Sequence, residues 1–592
     1  MTKQITLTID GQKVTAPLGT TIMQAADSIG LHIPRLCFHK KLSSIGACRI
    51  CVVEVAGMKN FAPSCCTAAT EGMVVKTNSQ AVRKARRDLV ELILDNHPRD
   101  CQICERNNNC DLQEMANTLG IREFTYEGER KRYAVDASAG VTRDPEKCIT
   151  CGKCVRVCSE LQGVNALSYA YRGFRTTVLP AFNMPIKDSV CINCGQCTLF
   201  CPTAAITETD ATAEVWRNLN DPAKTVIVQI APAVRVAVGE GFGYAPGEDK
   251  TYESVAALRL MGFKVVFDTQ FSADLTIMEE GHELIRRLKN NGKLPMITSC
   301  SPGWIKYCEH FHPEFLDNLS TCKSPQQMMG ALIKTYYAQK MKIDPASIYS
   351  VSIMPCTAKK YEASRPEMKS SGYQDVDAVL TTREFIKMIK QAGIKFNELK
   401  GSEFDNPMGE STGAATIFGV SGGVMEAALR TAYEVITGQA LPAIDFQAVR
   451  GFDGIKEAEV DIAGTKVKVA VIYGMANVHK VFTEMEQGQR TYHFIEVMTC
   501  PGGCMGGGGQ PYLPSQAEAL DKSWYEKRAQ GLYKIDELKK IRKSHENPQI
   551  KQIYQEFLKQ PLGELSHHLL HTKYQRRLPQ GIPSKVKETV SI

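Results

Sequence analysis

Thr298-Ser-Cys-Ser-Pro-Gly-Trp304 decides how this chain is read, because two later stretches match it in kind. They are Met354-Pro-Cys-Thr-Ala-Lys-Lys-Tyr-Glu362 and Glu496-Val-Met-Thr-Cys-Pro-Gly-Gly-Cys-Met-Gly-Gly-Gly-Gly-Gln-Pro511. Each sets a cysteine beside proline or glycine, as in a loop, where bare backbone can approach an inorganic group and aim N–H groups at its sulfurs. Together they offer Cys300, Cys356, Cys500 and Cys504 to one metal site. The surrounding sequence alternates strand and helix. Thr225-Val-Ile-Val-Gln-Ile230, Ile348-Tyr-Ser-Val-Ser-Ile353 and Lys466-Val-Lys-Val-Ala-Val-Ile472 read as strands, and residues 277–288 and 326–342 as helices. This half is expected to be α/β, with a parallel sheet and its chemistry on loops.

Moving toward the amino terminus, Cys148-Ile-Thr-Cys-Gly-Lys-Cys-Val-Arg-Val-Cys158 recurs as Cys191-Ile-Asn-Cys-Gly-Gln-Cys-Thr-Leu-Phe-Cys201-Pro202. This is the internal repeat of a bacterial two-cluster ferredoxin, in which three closely spaced thiolates grip one cube and the fourth crosses to the other. One [4Fe–4S] cluster is therefore expected on Cys148, Cys151, Cys154 and Cys201, the other on Cys191, Cys194, Cys197 and Cys158. Further upstream, Asn96-His-Pro-Arg-Asp-Cys-Gln-Ile-Cys104 is followed by Cys110. Residues 78–94 read as a helix that Pro98 stops, leaving His97 at its end beside Cys101 and Cys104. One histidine and three cysteines suit either zinc or a [4Fe–4S] cluster, and spacing alone leans to zinc. Residues 1–80 alternate apolar and polar side chains at Ile5–Ile9 and Val52–Val55, with glycines between, which reads as a small half-buried sheet. Its loops carry Cys37, Cys48, Cys51 and Cys65, with Cys66 adjacent; four such thiolates fit a [2Fe–2S] cluster, zinc being the alternative.

The chain has 592 residues, too many for one core, and 22 cysteines. Its first ten residues form a strand pattern rather than an export signal, and no apolar run spans a membrane, so a cytoplasmic protein with reduced, metal-ligating cysteines is expected. A net charge of +7 is compatible with an acidic electron carrier such as ferredoxin, and nothing in the pattern suggests nucleic acid.

The three cysteine stretches resemble, in order and content, the signatures of the [FeFe]-hydrogenases. That resemblance implies a multidomain α+β and α/β protein. A β-grasp ferredoxin-like domain (1–80) would be followed by a one-histidine, three-cysteine domain (81–125), a two-[4Fe–4S] domain (126–209), a catalytic domain (210–574) and a mobile basic tail (575–592). It implies one [2Fe–2S] cluster, three accessory [4Fe–4S] clusters and an H-cluster, a [4Fe–4S] cube joined through a cysteine to a two-iron unit with CO, cyanide and a dithiolate. Cys65 rather than Cys66 matches the ligand, and similarity to the large iron–sulfur subunit of respiratory complex I turns the His97, Cys101, Cys104 and Cys110 set toward a cluster. By the same resemblance Cys504 bridges to the two-iron unit, and Lys359 hydrogen-bonds a cyanide. Met354, Met498, Pro232, Gln326 and Phe418 wall the site, and Ala233 replaces a serine often found there. Glu280, Ser320, Glu283 and Arg287 match the proton path; Glu280, Glu283 and Arg287 share one helical face.

The chain departs from the family at Cys300-Ser301-Pro302, where most members have two cysteines. If register holds, Cys300 carries the proton and Ser301 stands at the ligand position. If thiolate chemistry decides, Cys300 becomes the fourth ligand and Ser301 the proton carrier, which is the assignment that ligand softness favours. Cys308 and Cys322 are expected as packed thiols. Residues 531–550 read as a charged helix, and His567, His568 and His571 as surface or packing residues on a last one. The implied activity is 2H⁺ + 2e⁻ ⇌ H₂, with ferredoxin or NAD(P)- and flavin-binding subunits as partners and separate maturation enzymes. No G-x-G-x-x-G follows a predicted strand, so nucleotide chemistry would sit on a partner. The competing reading is a hydrogenase-like sensory or iron–sulfur scaffold protein.

Overall fold

The computed structural model describes residues 3–439, 444–462, 464–514 and 521–578. At the amino terminus five strands pair in the order Gln12–Pro17, Gln4–Ile9, Val74–Lys76, Val52–Val55, Ala62–Pro63. Gln4–Ile9 and Val74–Lys76 run parallel, the other neighbours antiparallel. The helix Ile22–Ser28, begun by a Thr21/Gln24 capping box, buries Ile22, Met23, Ala25 and Ala26, and the expected β-grasp arrangement results. The alternation seen in the sequence puts Ile5, Leu7 and Ile9 in this core.

The helix Gln80–Asp95 is capped by Ser79, whose hydroxyl accepts from Val82 N, and it ends at Asn96 ahead of Pro98. In the repeat, the helices Lys153–Arg156 and Gln196–Phe200 each follow a left-handed glycine, Gly152 and Gly195, both at φ 67°. A Cβ at Gly195 would lie 2.3 Å from Thr357 Oγ1, so only glycine lets this loop touch the catalytic half.

The catalytic half holds two sheets. The first is wholly parallel, in the order Val265–Asp268, Thr225–Ile230, Ile348–Met354, Ala378–Thr381. The second, Met296–Ile297, Phe494–Met498, Thr465–Tyr473, Ile455–Ile462, is mixed rather than parallel throughout. Its last pair is antiparallel because a two-residue connection can only return the chain on itself. The cysteine-bearing loops leave the carboxyl ends of parallel strands: Thr298–Cys300 after Met296–Ile297, Cys356 after Ile348–Met354, Cys500 after Phe494–Met498. That edge is where open α/β sheets place their ligands.

Two terminal expectations are corrected. The helix expected over 531–550 instead runs Lys522–Leu538, and a separate one, Pro548–Ile553, starts at the Asn547 cap. Asn547 and Pro548 are helix-starting residues that periodicity alone passes over. The tail expected from residue 575 is held at Arg577, which pairs with Glu309 and Glu367; residues 579–592 lie outside the described ones. Among the described residues no helix is long and apolar enough to cross a membrane.

Candidate metal centre

A cavity of about 100 Å³ lies between the two sheets and is lined by Cys300, Cys356, Cys500 and Cys504. Pro232, Ala233, Gln326, Met354, Phe418 and Met498, all named from the sequence, line it too. Burial pushes the Cys356 and Cys500 thiols up and the Cys504 thiol to about 12, because a thiolate in apolar surroundings lacks a counter-charge. A metal cluster supplies that counter-charge. The glycine run fits one as well: a Cβ at Gly507 would lie 2.2 Å from Pro355 O and one at Gly508 2.3 Å from Cys194 O, so the loop is drawn in as bare backbone.

Lys359 lines the cavity, its ammonium donating to Glu362 Oε2 at 2.9 Å and Cys300 O at 3.0 Å. Glu362 also accepts from Gln326 Nε2 at 3.1 Å and Ser324 Oγ at 2.8 Å, fixing lysine and glutamine together. Glu362 was not assigned a role from the sequence, although its place three residues after Lys359 on one helix was the signal.

Cys300 lies close enough to Glu280, Lys359 and Cys504 to feel their charges, and burial, then Glu280, disfavours its thiolate. Ser301 Oγ instead pairs with Thr499 Oγ1 at 2.8 Å and accepts from Thr499 N at 3.2 Å. The Ser301 hydroxyl is thereby tied to the Cys500 loop.

From Cys300 outward the acidic residues are inside the protein. Glu280 and Glu283 are each 1% exposed, on the helix Thr269–Lys289. Burial raises the Glu280 carboxyl to about 8; Ser320 lies close enough to offset this in part, and Glu280 Oε2 has no hydrogen-bond partner among the described residues. Ser320 Oγ donates to Glu283 Oε2 at 3.2 Å, and Arg287 donates to Glu283 Oε1 at 2.6 Å. The half-exposed Arg287 also reaches the carbonyls of Asn318 and Leu319. Ser320, Glu283 and Arg287 are thus directly bonded, Glu280 is buried beside them, and a solvated charged face is excluded. Cys308 and Cys322 are buried as expected.

The cysteines of the repeat and of the first domain gather likewise. Cys148, Cys151, Cys154 and Cys201 line one small apolar cavity, which is the crossed set read from the repeat. Cys158 lies near Cys191, and Cys194 near Cys158, Cys191 and Cys500. Cys194 also lines the central cavity, so the second accessory set abuts the catalytic one. Thr357 Oγ1 donates to Asn193 O at 2.7 Å across this junction. Cys51 and Cys65 sulfurs are 3.4 Å apart, and Cys37 is hydrogen-bonded with Cys48 and Cys65. Cys66, exposed, touches Cys65. Arg156 joins this domain to the next, donating to Cys37 O at 2.7 Å and Cys151 O at 3.2 Å. Cys101 faces Cys104, and Cys110 begins the helix Asp111–Thr118. Burial lowers His97 to about 4, leaving the neutral imidazole a metal needs, with Nδ1 unpartnered.

These arrangements define an iron–sulfur oxidoreductase with a central cluster pocket, and family comparisons agree. Residues 224–508 match the iron-only hydrogenase large subunit, C-terminal domain, and residues 522–577 the iron hydrogenase small subunit. Residues 2–80 match a 2Fe-2S iron-sulfur cluster binding domain, 86–124 the NADH-ubiquinone oxidoreductase-G iron-sulfur binding region, and 147–205 a 4Fe-4S dicluster domain. The chain belongs to the [FeFe]-hydrogenases and interconverts protons and electrons with H₂. It is 50% identical over 585 residues to NADP-reducing hydrogenase subunit HndD of Solidesulfovibrio fructosivorans, covering 97% of this chain and 99% of that one. It is 41% identical over 575 residues to iron hydrogenase 1 of Clostridium pasteurianum, covering 96% and 100%. Among solved structures, apo [FeFe]-hydrogenase HydA1 from Chlamydomonas reinhardtii aligns with a TM-score of 0.56 at 42% identity, covering 62% of this chain and 99% of that one.

Proposed function

We propose that this hydrogenase works in the cytoplasm as the hydrogen-converting subunit of an NAD(P)-linked assembly, with nucleotide and flavin carried by partner subunits. Full-length similarity to an NADP-reducing hydrogenase subunit supports this over ferredoxin as sole partner. One [2Fe–2S] cluster on Cys37, Cys48, Cys51 and Cys65 and three accessory [4Fe–4S] clusters, with the six-iron central group, total roughly 20 iron atoms. Electrons from the first domain and from the His97, Cys101, Cys104 and Cys110 site meet at the Cys148 set. They pass through the Cys191 set to the central pocket.

When bound, the H-cluster supplies the redox-active two-iron unit at which hydrogen is made or split. Cys356, Cys500 and Cys504 would hold its cube, Cys504 being the thiolate that would be shared with the two-iron unit. Lys359, steadied by Glu362, would offer its ammonium to an anionic ligand of the group, where a neutral side chain would leave the anion uncompensated. Met354, Met498, Pro232, Ala233, Gln326 and Phe418 exclude water. Cys300 exchanges a proton with Glu280, which passes it through Ser320 to Glu283 and to the surface beside Arg287. Ser301 stays bonded to Thr499.

The observation that carries this reading is that Ser301 is bonded to Thr499, while Cys300 lines the cavity with its carbonyl held by Lys359. Cys300→Ala in matured protein tests it. Retained iron and retained CO and cyanide infrared bands, with hydrogen evolution lost, support Cys300 as proton carrier; loss of iron from the central site makes it a cube ligand instead.

A further inference from the structure

Glu283 has a second neighbour that the route through Arg287 does not use. Thr321 donates to Glu283 Oε2 through its backbone N–H and its hydroxyl, both at 3.0 Å. The same hydroxyl meets His571 Nδ1 at 2.8 Å, and His571 Nε2 meets Glu279 Oε2 at 3.0 Å. Glu279, Glu283 and His571 are all buried. His571 follows the helix Glu564–Leu570 in the segment matching the hydrogenase small subunit, so this segment reaches into the proton-carrying half.

Hydrogen-bond directions show what the network can hold. With the Thr321 hydroxyl donating to Glu283 Oε2, its oxygen is left to accept from a proton on His571 Nδ1. Glu279 accepts from Tyr554 Oη at 2.5 Å, Leu562 N at 2.8 Å and Ser566 Oγ. Although burial pushes Glu279 up, hydrogen bonds with His571, Ser566 and Tyr554 hold it below its ordinary value. Nε2 meets the Glu279 carboxylate, so each ring nitrogen faces an oxygen that can receive its proton.

We propose that His571 is a proton-holding side branch of the route, exchanging one proton with Glu283 through the Thr321 hydroxyl. In delivery the Nδ1–H bond breaks as an O–H bond forms on Thr321, whose original proton passes to Glu283. The imidazole is left neutral, Glu283 becomes the acid, and Thr321 now donates to Nδ1. The donor–acceptor spacings already suit both hops, so no heavy atom has to move. One turnover in the evolving direction consumes two protons, and the branch keeps one a single hydroxyl away from Glu283.

The groups around the ring are Glu279 and Glu283 on the long helix, Thr321 and Cys322 on the facing loop, and His567 stacked on His571 with ring centroids 4.4 Å apart. Arg286 faces His567, and Tyr554 lies behind Glu279. Glu283, Cys322 and His571 are close enough to touch one ion. Glu283 and His571 already have strong hydrogen-bond partners, so the set serves as a proton network rather than a metal site.

This inference rests on reading Glu280, Ser320 and Glu283 as the route. The test is hydrogen evolution from reduced methyl viologen by matured full-length enzyme across pH, comparing wild type with Thr321→Val, Thr321→Ser and His571→Gln. Thr321→Val keeps the backbone N–H to Glu283 and removes only the hydroxyl. The expected deficit of Thr321→Val is about tenfold in mildly acidic solution, where a histidine can hold an extra proton, and shrinks toward none in alkaline solution. Thr321→Ser restores the wild-type profile, and His571→Gln adds nothing to Thr321→Val. A deficit independent of pH, or none at all, overturns the branch. Should His571→Gln fail to hold its clusters, Thr321→Val decides alone. Glu283→Gln separates the two readings: wild-type evolution in that variant overturns the whole route, whereas its loss beside a pH-flat Thr321→Val deficit overturns only the branch.

Discussion

Residues 148–201 and residues 298–504 both close buried cysteines around apolar space, but they do it by different means. In the first, each half of the repeat carries its own three thiolates, and one exchanged cysteine completes each set. In the second, four cysteines arrive on three loops from the carboxyl ends of three strands, and packed sheets rather than local spacing bring them together. Local spacing sets a ligand group within a few residues; convergent strands set one from loops spread over residues 300–504. The second kind is what allows polar groups such as Glu280 and Lys359 to be buried at fixed positions around a reacting centre.

The comparison can be broken most decisively with Cys500→Ala, which is expected to abolish hydrogen evolution while optical spectra of the accessory clusters persist. Simultaneous loss of both halves would mean the two are not separately held. Glu280→Gln comes next: evolution should fall by roughly 10² to 10⁴-fold with iron content unchanged.

A smaller effect follows from titration. Burial favours the protonated Glu280 carboxyl up to about 8, so it donates below that pH and ionises above it. Evolution should therefore decline as pH rises through about 8, a limb that rate profiles of Glu280→Gln should lack. Smallest for activity is Phe385→Ala, in the apolar core under the parallel sheet. It should cost about 3–5 kcal/mol in denaturant unfolding yet leave turnover nearly intact at low temperature; unchanged unfolding would refute the view that this sheet's packing supports the cavity.

Legibility in the sequence followed the same division. The Cys148 to Cys201 repeat could be read residue by residue because a ligand's partners lie three or four positions away. The strand Thr225–Ile230 was readable because a run buried on both faces is apolar throughout. The wall residues Pro232, Gln326 and Phe418 were visible only through family resemblance, since each looks like ordinary core. Glu362, Thr499, Thr321 and His571 received no functional role, although Glu362 and Thr499 lay inside quoted motifs. Apart from the Lys359–Glu362 pair on one helix, their partners are fixed by tertiary packing, and His571 meets Thr321 across 250 positions. The helix over 531–550 was misread because its charge pattern continues past the break at Asn547-Pro548.

The central claim is that electrons and protons reach one cavity from opposite sides, through Cys194 and through Glu280. Hydrogen–deuterium exchange between H₂ and D₂O needs the proton side, whereas viologen-linked turnover needs both. In Cys197→Ser, which cuts the wire next to the cavity, the account predicts that exchange persists while viologen-linked turnover is lost, and that in Glu280→Gln both are lost. Equal loss of the two activities in Cys197→Ser, or exchange surviving in Glu280→Gln, would contradict it.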